Sequence, residues 1–352
     1  MAKNMEDYIA EITPTYLKNI ENREKLTGIL VKMLKDEHVE DRTLTIVASG
    51  SSYNAAMCAL PFLKKYVGTH TRVITPFAYT YYETVSDDNI YLFVSQSGYS
   101  TNILGAAQKH KENHRKVIGI TGNRESDLGK MSDICLEYGA GEETIGYVTK
   151  GMSTLILFFM LLGLELTVKK NAKTYTVVLE HITEAAKAHA LMYQQAKDFC
   201  MENREKLMIA NSAFLIAGGA NMGTVSEGAL KISEMVHIQT TVYEIEEFIH
   251  GPDLQLTPES TLFFTCVEDE TKERVLQVCE ASGLITENTF LVRFKDLHMD
   301  QIYAPLYFTA FYQYLAFFVA KEKGITSEHP LHKKFEEIVR CKSDGYTESN
   351  PF

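Results

Sequence analysis

Short apolar runs alternate with longer amphipathic segments from about residue 43 onward. The first apolar runs are LTIVAS (44–49), RVITP (72–76), IYLFVS (90–95) and KVIGIT (116–121). The segments between and after them, such as SSYNAAMCALPFLKKY and TNILGAAQKHKEN, space their apolar residues as a helix does. Strands that alternate with helices predict a doubly wound α/β domain with a parallel sheet.

The same pattern returns in the second half of the chain. AFLIAGGANMGTVSEGALKISEM (213–235) repeats the layout of LTIVASGSSYNAAMCALPFLKKY, which is an apolar strand, a glycine turn and a helix. STLFFTCVEDETKERVLQVCEASG (260–283) likewise parallels NIYLFVSQSGYSTNILGAAQKHK, but it has Val267, Glu268 and Asp269 where the first copy has serines. These parallels indicate an internal duplication in which only the first half keeps a hydroxyl-rich turn.

The pattern divides the chain into five parts. They are an N-terminal helical segment (1–36), a first α/β subdomain (37–170), a helical connector (171–205), a second α/β subdomain (206–325) and a C-terminal tail (326–352). Proline removes a helical hydrogen bond, so we expect a break near Pro14 and a kink or break at Pro61. Residues 303–323 predict a closing helix, and the tail after it is polar.

Composition narrows the class of protein. The 352 residues are 45% hydrophobic and 23% charged, as in ordinary globular proteins. A net charge of −11 argues against a long nucleic-acid-binding surface. The six cysteines are scattered without a CxxC pair, which indicates reduced thiols and neither a disulfide framework nor a zinc site.

Nothing in the sequence pattern predicts a membrane segment or a secretory signal. The longest apolar run, 155–164, is shorter than the ~20 residues of a membrane span. The N-terminal sequence MAKNMEDYIAEITPTY has no apolar signal-peptide core. We therefore expect a cytoplasmic protein that binds neither membrane nor nucleic acid.

Two hydroxyl-rich turns follow predicted strands. Ser95-Gln96-Ser97-Gly98 and Ser49-Gly50-Ser51-Ser52 each end a strand and open a helix. Ligands of open α/β sheets bind at this edge, and a helix N-terminus favours an anion. A single serine here is more often an N-cap, but two such turns indicate one pocket for a phosphate. GxGxxG and GxxxxGK[ST] are both absent, so a small phosphorylated molecule is expected rather than a nucleotide.

A charged stripe and a histidine are candidates for proton transfer. Glu227, Lys231 and Glu234 share one helical face, and periodicity alone favours a solvated ion pair over a pocket wall. His250 precedes a Gly-Pro turn and is suited to proton transfer near neutral pH. The preceding Glu246 and Glu247 could orient it or face solvent, and the spacing leaves both interpretations open.

Five motifs in order carry a family resemblance. SGSSY (49–53), SQSGYST (95–101), VTK (148–150), EGALKISE (227–234) and EEFIHGP (246–252) together resemble the sugar isomerase (SIS) family over about residues 40–335. The pattern is most similar to the isomerase half of glucosamine-6-phosphate synthase and to stand-alone fructosamine-6-phosphate deglycases. The resemblance implies two tandem flavodoxin-like α/β subdomains.

The resemblance also implies roles for individual residues. Glu234 corresponds to the glutamate that moves a proton between sugar carbons 1 and 2, Glu227 and Lys231 to its neighbours, and His250 to a ring-opening histidine that the partner subunit contributes. The implied phosphate ligands are Ser51, Ser52, Ser95, Gln96, Ser97 and Ser100. Further substrate contacts are expected at Gly50, Thr149, Lys150 and Glu247. The resemblance thus implies a homodimer with a shared active site. It also implies a reaction that needs no metal or organic cofactor.

Two departures from the synthase favour a deglycase. The sequence shows no N-terminal glutaminase segment, so glutamine is not the expected ammonia source. Alignment at Pro330 puts Phe335 where the synthase has its imine-forming lysine, with Lys333 and Lys334 only nearby.

The sequence therefore predicts an amino-sugar enzyme that cleaves a glycated amino acid 6-phosphate to hexose 6-phosphate and free amine. An aldose–ketose isomerase or aminosugar-phosphate deaminase is the alternative. A non-catalytic sugar-phosphate sensor is disfavoured because Glu234 and His250 are both present.

Overall fold

The computed structural model describes residues 3–67, 70–295, 297–326 and 331–347, which form two compact units. Unit 1 comprises Pro14–Glu180 together with the two ends of the chain, and unit 2 comprises Met5–Thr13 and His181–Thr326. Two of the boundaries fall inside helices, α1 (Met5–Glu21) and α8 (Ala172–Glu202), which each contribute to both units.

Unit 1 is built on a five-stranded parallel sheet in the order β2-β1-β3-β4-β5. Its strands are β1 (Thr43–Val47), β2 (Thr71–Ile74), β3 (Asn89–Ser95), β4 (Ile118–Thr121) and β5 (Ile134–Glu137). Its helices are α2 (Arg23–Asp36), α3 (Gly50–Tyr66), α4 (Pro76–Tyr81), α5 (Thr101–Glu112), α6 (Asp127–Met131), α7 (Lys150–Leu166) and α14 (His332–Val339). Val47 pairs with Phe93 and Ser95 with Thr121, so β1, β3 and β4 end at one edge.

Unit 2 repeats the arrangement with four parallel strands in the order β7-β6-β8-β9. The strands are β6 (Ser212–Ala217), β7 (Gln239–Glu244), β8 (Leu262–Cys266) and β9 (Thr289–Arg293). The helices are α9 (Arg204–Ile209), α10 (Asn221–Val236), α11 (Ile245–Phe248), α12 (Lys272–Gly283) and α13 (Pro305–Glu322). The predicted fold class, tandem parallel α/β subdomains, is thus confirmed.

The prediction of a helix break near Pro14 is wrong. Helix α1 continues through Pro14, and the break comes later, at Asn22 between α1 and α2. An internal proline costs about 3 kcal/mol, whereas each fully buried large apolar side chain contributes about 1.5–3 kcal/mol. Ile9, Ile12 and Tyr16 are all completely buried, so their burial outweighs the cost of the proline. Helix α3 also runs through Pro61 without a break.

Helix α7 forms the apolar centre of unit 1. The stretch Lys150–Lys170 is long and apolar enough to cross a membrane, but 94% of its 18-residue window with a mean hydropathy of 1.9 is buried inside the protein. A core helix of a folded domain has the same composition, and the fold itself covers this one.

Candidate functional site

The hydroxyl turn between β3 and α5 is held by its own serines. Ser95 is buried, accepts a hydrogen bond from the Gly98 N–H at 3.1 Å and donates one to Ser100 Oγ at 3.2 Å. Gly98 has φ +75°, and a Cβ there would overlap the Ser126 hydroxyl. The turn therefore requires glycine at this position.

Gln96 and Ser97 extend the turn toward other parts of unit 1. The Gln96 carbonyl accepts a hydrogen bond from the Gly122 N–H at 2.9 Å, and its side chain lies against Gly151 near the start of α7. Ser97 Oγ accepts from the Tyr99 N–H at 3.3 Å and from the Lys342 ammonium at 3.1 Å. A lysine from the C-terminal tail thus meets the predicted phosphate-binding turn.

The first glycine turn lies beside the hydroxyl turn, because β1 and β3 are neighbours in the sheet. Ser51 and Ser52 are buried in the first turn of α3, and Gly50 has φ +54°. Ser49 Oγ lies 3.5 Å from Asn102 Oδ1, which joins the two turns. The structure thus brings both predicted serine turns to one sheet edge.

Thr149 and Lys150 stand at the N-terminus of α7, where Glu143 caps the helix. The Glu143 carboxylate accepts the N–H groups of Thr149 and Lys150 at 2.8 Å and that of Gly151 at 2.9 Å. Burial raises the pKa of Glu143, although these backbone hydrogen bonds act in the opposite direction. The Lys150 ammonium donates to the Glu142 carbonyl at 2.9 Å. The backbone donors of this helix end are therefore used by the protein's own carboxylate.

The charged stripe on α10 is a buried cluster. Lys231 and Glu227 are almost completely buried, whereas the Glu234 side chain is 31% exposed. The Lys231 ammonium lies 3.3 Å from Glu227 Oε1 and 2.7 Å from Glu234 Oε2. Burial alone would lower the pKa of Lys231, but the two carboxylates outweigh it and raise the pKa above its usual value. The two carboxylates thus favour the protonated lysine, and the one on Glu234 is accessible.

The solvated-pair interpretation of this stripe is wrong, because α13 packs over α10. A Cβ at Gly228 would meet the ring of Tyr312 at 2.7 Å, so glycine lets the two helices approach closely. Tyr312 is fully buried and hydrogen-bonded to Thr265 at 2.6 Å.

His250 and Glu247 lie on a different element, the short α11 and the turn that follows it. Both side chains are exposed. Glu246 forms an ion pair with Arg274 at 2.6 Å, which lowers the pKa of Glu246. The Glu246 carboxylate is thus paired with Arg274 on α12 and also interacts electrostatically with His250.

The second half-repeat fills the position of the hydroxyl turn with an internal ion cluster. Glu268, which follows β8, accepts from Arg293 Nε at 2.7 Å and lies 3.1 Å from the Lys272 ammonium. Burial would raise the pKa of Glu268, but these two cations outweigh it and lower the pKa. This carboxylate is satisfied within unit 2.

Sequence reasoning missed Lys342. Residues 340–347, which we call the strap, follow α14 and run beside the hydroxyl turn, with an antiparallel bridge between Ser100 and Lys342. The position aligned with the synthase lysine, Phe335, is 60% exposed on α14, and the alignment point Pro330 lies outside the described residues. No local signal marks Lys342, because its partner Ser97 is 245 residues away.

A cavity of about 1160 Å³ opens beside the strap within unit 1. Gln96, Ser97, Arg124, Lys342 and Tyr346 are among its lining residues. Within the described ranges, no group of three or more histidine, cysteine or acidic side chains is arranged to hold a metal ion.

Comparison with known proteins agrees with this fold. Residues 39–164 match the SIS domain family. This match spans the five strands of unit 1.

Proteins similar in sequence to this chain are glutamine–fructose-6-phosphate aminotransferases. The one from Pyrobaculum aerophilum is 28% identical over 314 residues, which is 82% of this chain and 50% of the relative. The one from Pseudomonas putida is 27% identical with the same coverage. The chain spans about half the length of the curated relatives it matches.

Solved structures share the fold across both units. A candidate phosphosugar isomerase from Clostridium difficile 630 has a TM-score of 0.83 at 24% identity, covering 99% of this chain and 100% of that one. Glucosamine-6-phosphate deaminase from Thermotoga maritima has a TM-score of 0.71 at 21% identity, covering 91% and 94%. At these identities the structures establish the fold alone.

Proposed function

We propose that this protein is a sugar-phosphate deglycase. It would cleave a glycated amino acid 6-phosphate to hexose 6-phosphate and a free amine through a proton shift between carbons 1 and 2. The observation that carries the proposal is the buried cluster on α10, where a fixed cation holds one accessible carboxylate.

Glu234 is the proposed base. The ammonium of Lys231 donates a hydrogen bond to Glu234 at 2.7 Å and so holds the carboxylate in one orientation. Glu234 would take the proton from the carbon beside the carbonyl or iminium and return it to the neighbouring carbon. General acid–base help of this kind contributes about 10²- to 10⁴-fold in rate. Water then hydrolyses the Schiff base, which releases the amine, and His250 would assist ring opening before the shift.

The hydroxyl turns of unit 1 are proposed to bind the phosphate. Ser51, Ser52, Ser95, Gln96, Ser97 and Ser100 lie on two adjacent turns at the carboxyl ends of parallel strands. A phosphate anchor supplies binding energy that positions the reacting carbons. Gly50, Thr149, Lys150 and Glu247 are proposed as further contacts.

The deglycase assignment is supported by Phe335, which stands at the position of the imine-forming lysine and is exposed on α14. A substrate that already carries its amine needs no lysine there. We also propose that the protein is a cytoplasmic homodimer in which His250 completes the partner's site. Size-exclusion chromatography with light scattering tests the dimer.

Activity assays with four substrates test the function. Fructoselysine 6-phosphate, glucoselysine 6-phosphate, fructose 6-phosphate and glucosamine 6-phosphate are incubated separately with the purified protein, and released lysine, ammonia and hexose 6-phosphate are measured. We expect lysine release from a glycated lysine. If only plain hexose phosphates are interconverted, the protein is an isomerase, and if only glucosamine 6-phosphate releases ammonia, it is a deaminase.

A further inference from the structure

We propose that Lys342 is a direct ligand of the anion bound at the hydroxyl turn, so that the strap supplies positive charge to this site. The inference rests on the proposed phosphate-binding function and adds to it a residue from the far end of the chain. The strap would then be part of the binding site rather than a loose tail.

Backbone hydrogen bonds fix the strap beside the turn. The Thr101 N–H donates to the Cys341 carbonyl at 3.1 Å, and the Ser343 N–H donates to the Tyr99 carbonyl at 2.9 Å. These bonds flank Lys342 on both sides. Its Cα is therefore held in register with Ser100, as in a short antiparallel ladder.

Side chains of the strap orient the ammonium. Ser343 Oγ donates to Asp127 at 2.6 Å, and the rings of Tyr346 and Tyr99 lie 5.9 Å apart. The Lys342 ammonium lies 5.1 Å from the centre of the Tyr346 ring and 3.1 Å from Ser97 Oγ. Cation–π attraction operates at this range, so the ammonium is held between an aromatic face and the turn.

The hydrogen-bond pattern directs hydroxyl protons toward a ligand. A serine hydroxyl has one proton to donate and two lone pairs. Ser97 Oγ accepts from both the Tyr99 N–H and Lys342, which leaves its proton to donate. Ser95 gives its proton to Ser100, which leaves the Ser100 proton to donate in turn. Both remaining donors suit an acceptor-rich group such as a phosphate.

Charge then distinguishes Lys342 from the serines. A phosphate monoester carries about −1.5 to −2 charges at neutral pH, and the protein itself has a net charge of −11. The hydroxyls and amides of the turn are neutral, whereas a charge-assisted hydrogen bond is roughly twice as strong as a neutral one. An ammonium beside Ser97 therefore offsets the repulsion between the anion and an acidic protein.

Binding measurements on matched variants test this role. Isothermal titration calorimetry with inorganic phosphate and with glucose 6-phosphate is run on the wild type, Lys342→Met, Lys342→Arg and Lys130→Met. Lys342→Met removes the charge but keeps the apolar stem, and Lys342→Arg keeps the charge. Lys130 is an exposed lysine on α6, so the same change there controls for net charge. Circular dichroism and a thermal melt check that each variant is folded.

We expect Lys342→Met to weaken both ligands about 10- to 100-fold, with Lys342→Arg and Lys130→Met within about threefold of the wild type. Equal binding by Lys342→Met and the wild type would overturn the inference and leave the hydroxyl-turn site intact. Equal loss in Lys342→Met and Lys342→Arg would overturn it too, because geometry and not charge would then be responsible. If the wild type binds neither ligand, the proposed phosphate site itself is wrong.

Discussion

Replacing Lys231 by methionine should destabilise unit 2, because it leaves a carboxylate buried without its cation. Lys231 is completely buried, and Glu227 beside it is 1% exposed. Glu234 has a 31% exposed side chain, so water can solvate it after the lysine is lost. The cost of the substitution therefore falls on Glu227.

The magnitude follows from the burial of this pair. Removing one partner of a buried ion pair costs about 3–5 kcal/mol, whereas a small domain is stable by about 5–15 kcal/mol in total. Replacing both partners by neutral groups of similar size is often neutral or stabilising. We therefore expect Lys231→Met to lose about 3–5 kcal/mol and the double variant with Glu227→Gln to recover most of that loss.

Urea denaturation followed by far-UV circular dichroism measures these free energies. Circular dichroism is chosen because the chain has no tryptophan whose fluorescence could report unfolding. Lys32→Met is the matched control. Lys32 pairs with Asp36 at 2.9 Å with the same i,i+4 spacing, but both side chains are largely exposed. Exposed pairs contribute about 0–1 kcal/mol, so this control should stay within that range.

Two results would refute the reasoning. If Lys231→Met is as stable as the wild type, the buried carboxylate does not depend on the lysine. If the double variant is no more stable than Lys231→Met, the loss comes from packing of the lysine stem and not from charge.

Three further predictions concern the site and its pH response. Glu234→Gln should lower turnover about 10²- to 10⁴-fold with sugar-phosphate binding unchanged, and full activity would remove Glu234 from its role. Gly98→Ala should abolish the phosphate binding that calorimetry measures, because the added Cβ would overlap Ser126. The control Gly105→Ala places its Cβ in open space on α5, so it should bind phosphate normally and be about 0.5–1 kcal/mol more stable. Burial lowers the pKa of His110 to about 4 in the folded protein, whereas an unfolded histidine has a pKa of about 6.5. As the pH falls from about 6.5 to 4, the unfolded chain therefore binds a proton that the folded chain does not, and the free energy of unfolding should decrease. In urea denaturation, His110→Gln should make the free energy of unfolding depend less on pH over this range. An unchanged pH dependence would contradict this role of His110.

The strands that could be predicted from sequence are mainly those inside the sheets. β1, β3 and β4 of unit 1 and β6 and β8 of unit 2 are buried on both faces and read as continuous apolar runs. The three strands that the pattern missed, β5, β7 and β9, all lie at sheet edges. Their burial is partial or alternating, so their sequences ICLE, QTTVYE and TFLVR carry a weak apolar signal.

For the candidate site too, features that depend on neighbouring residues in the sequence could be predicted, and features that depend on distant residues could not. The hydroxyl turn could be predicted because a strand end, a glycine and a helix start are adjacent in sequence. The burial of Lys231 could not, because it depends on how the folded unit packs around α10, for example where Tyr312 of α13 lies against Gly228. Lys342 could not either, since only the fold brings the strap to Ser97.

The two half-repeats use the same sheet position in opposite ways, which explains why one phosphate site per chain is proposed. After β3, the hydroxyls of Ser97 and Ser100 accept hydrogen bonds from the protein and keep their protons to donate, so the turn favours an added anion. After β8, the Glu268 carboxylate takes that place and binds Arg293 and Lys272 within unit 2. An anion arriving there would meet a carboxylate already paired with the nearby cations. This difference supports our proposals that unit 1 binds the anion and that a carboxylate on α10 of unit 2 moves the proton.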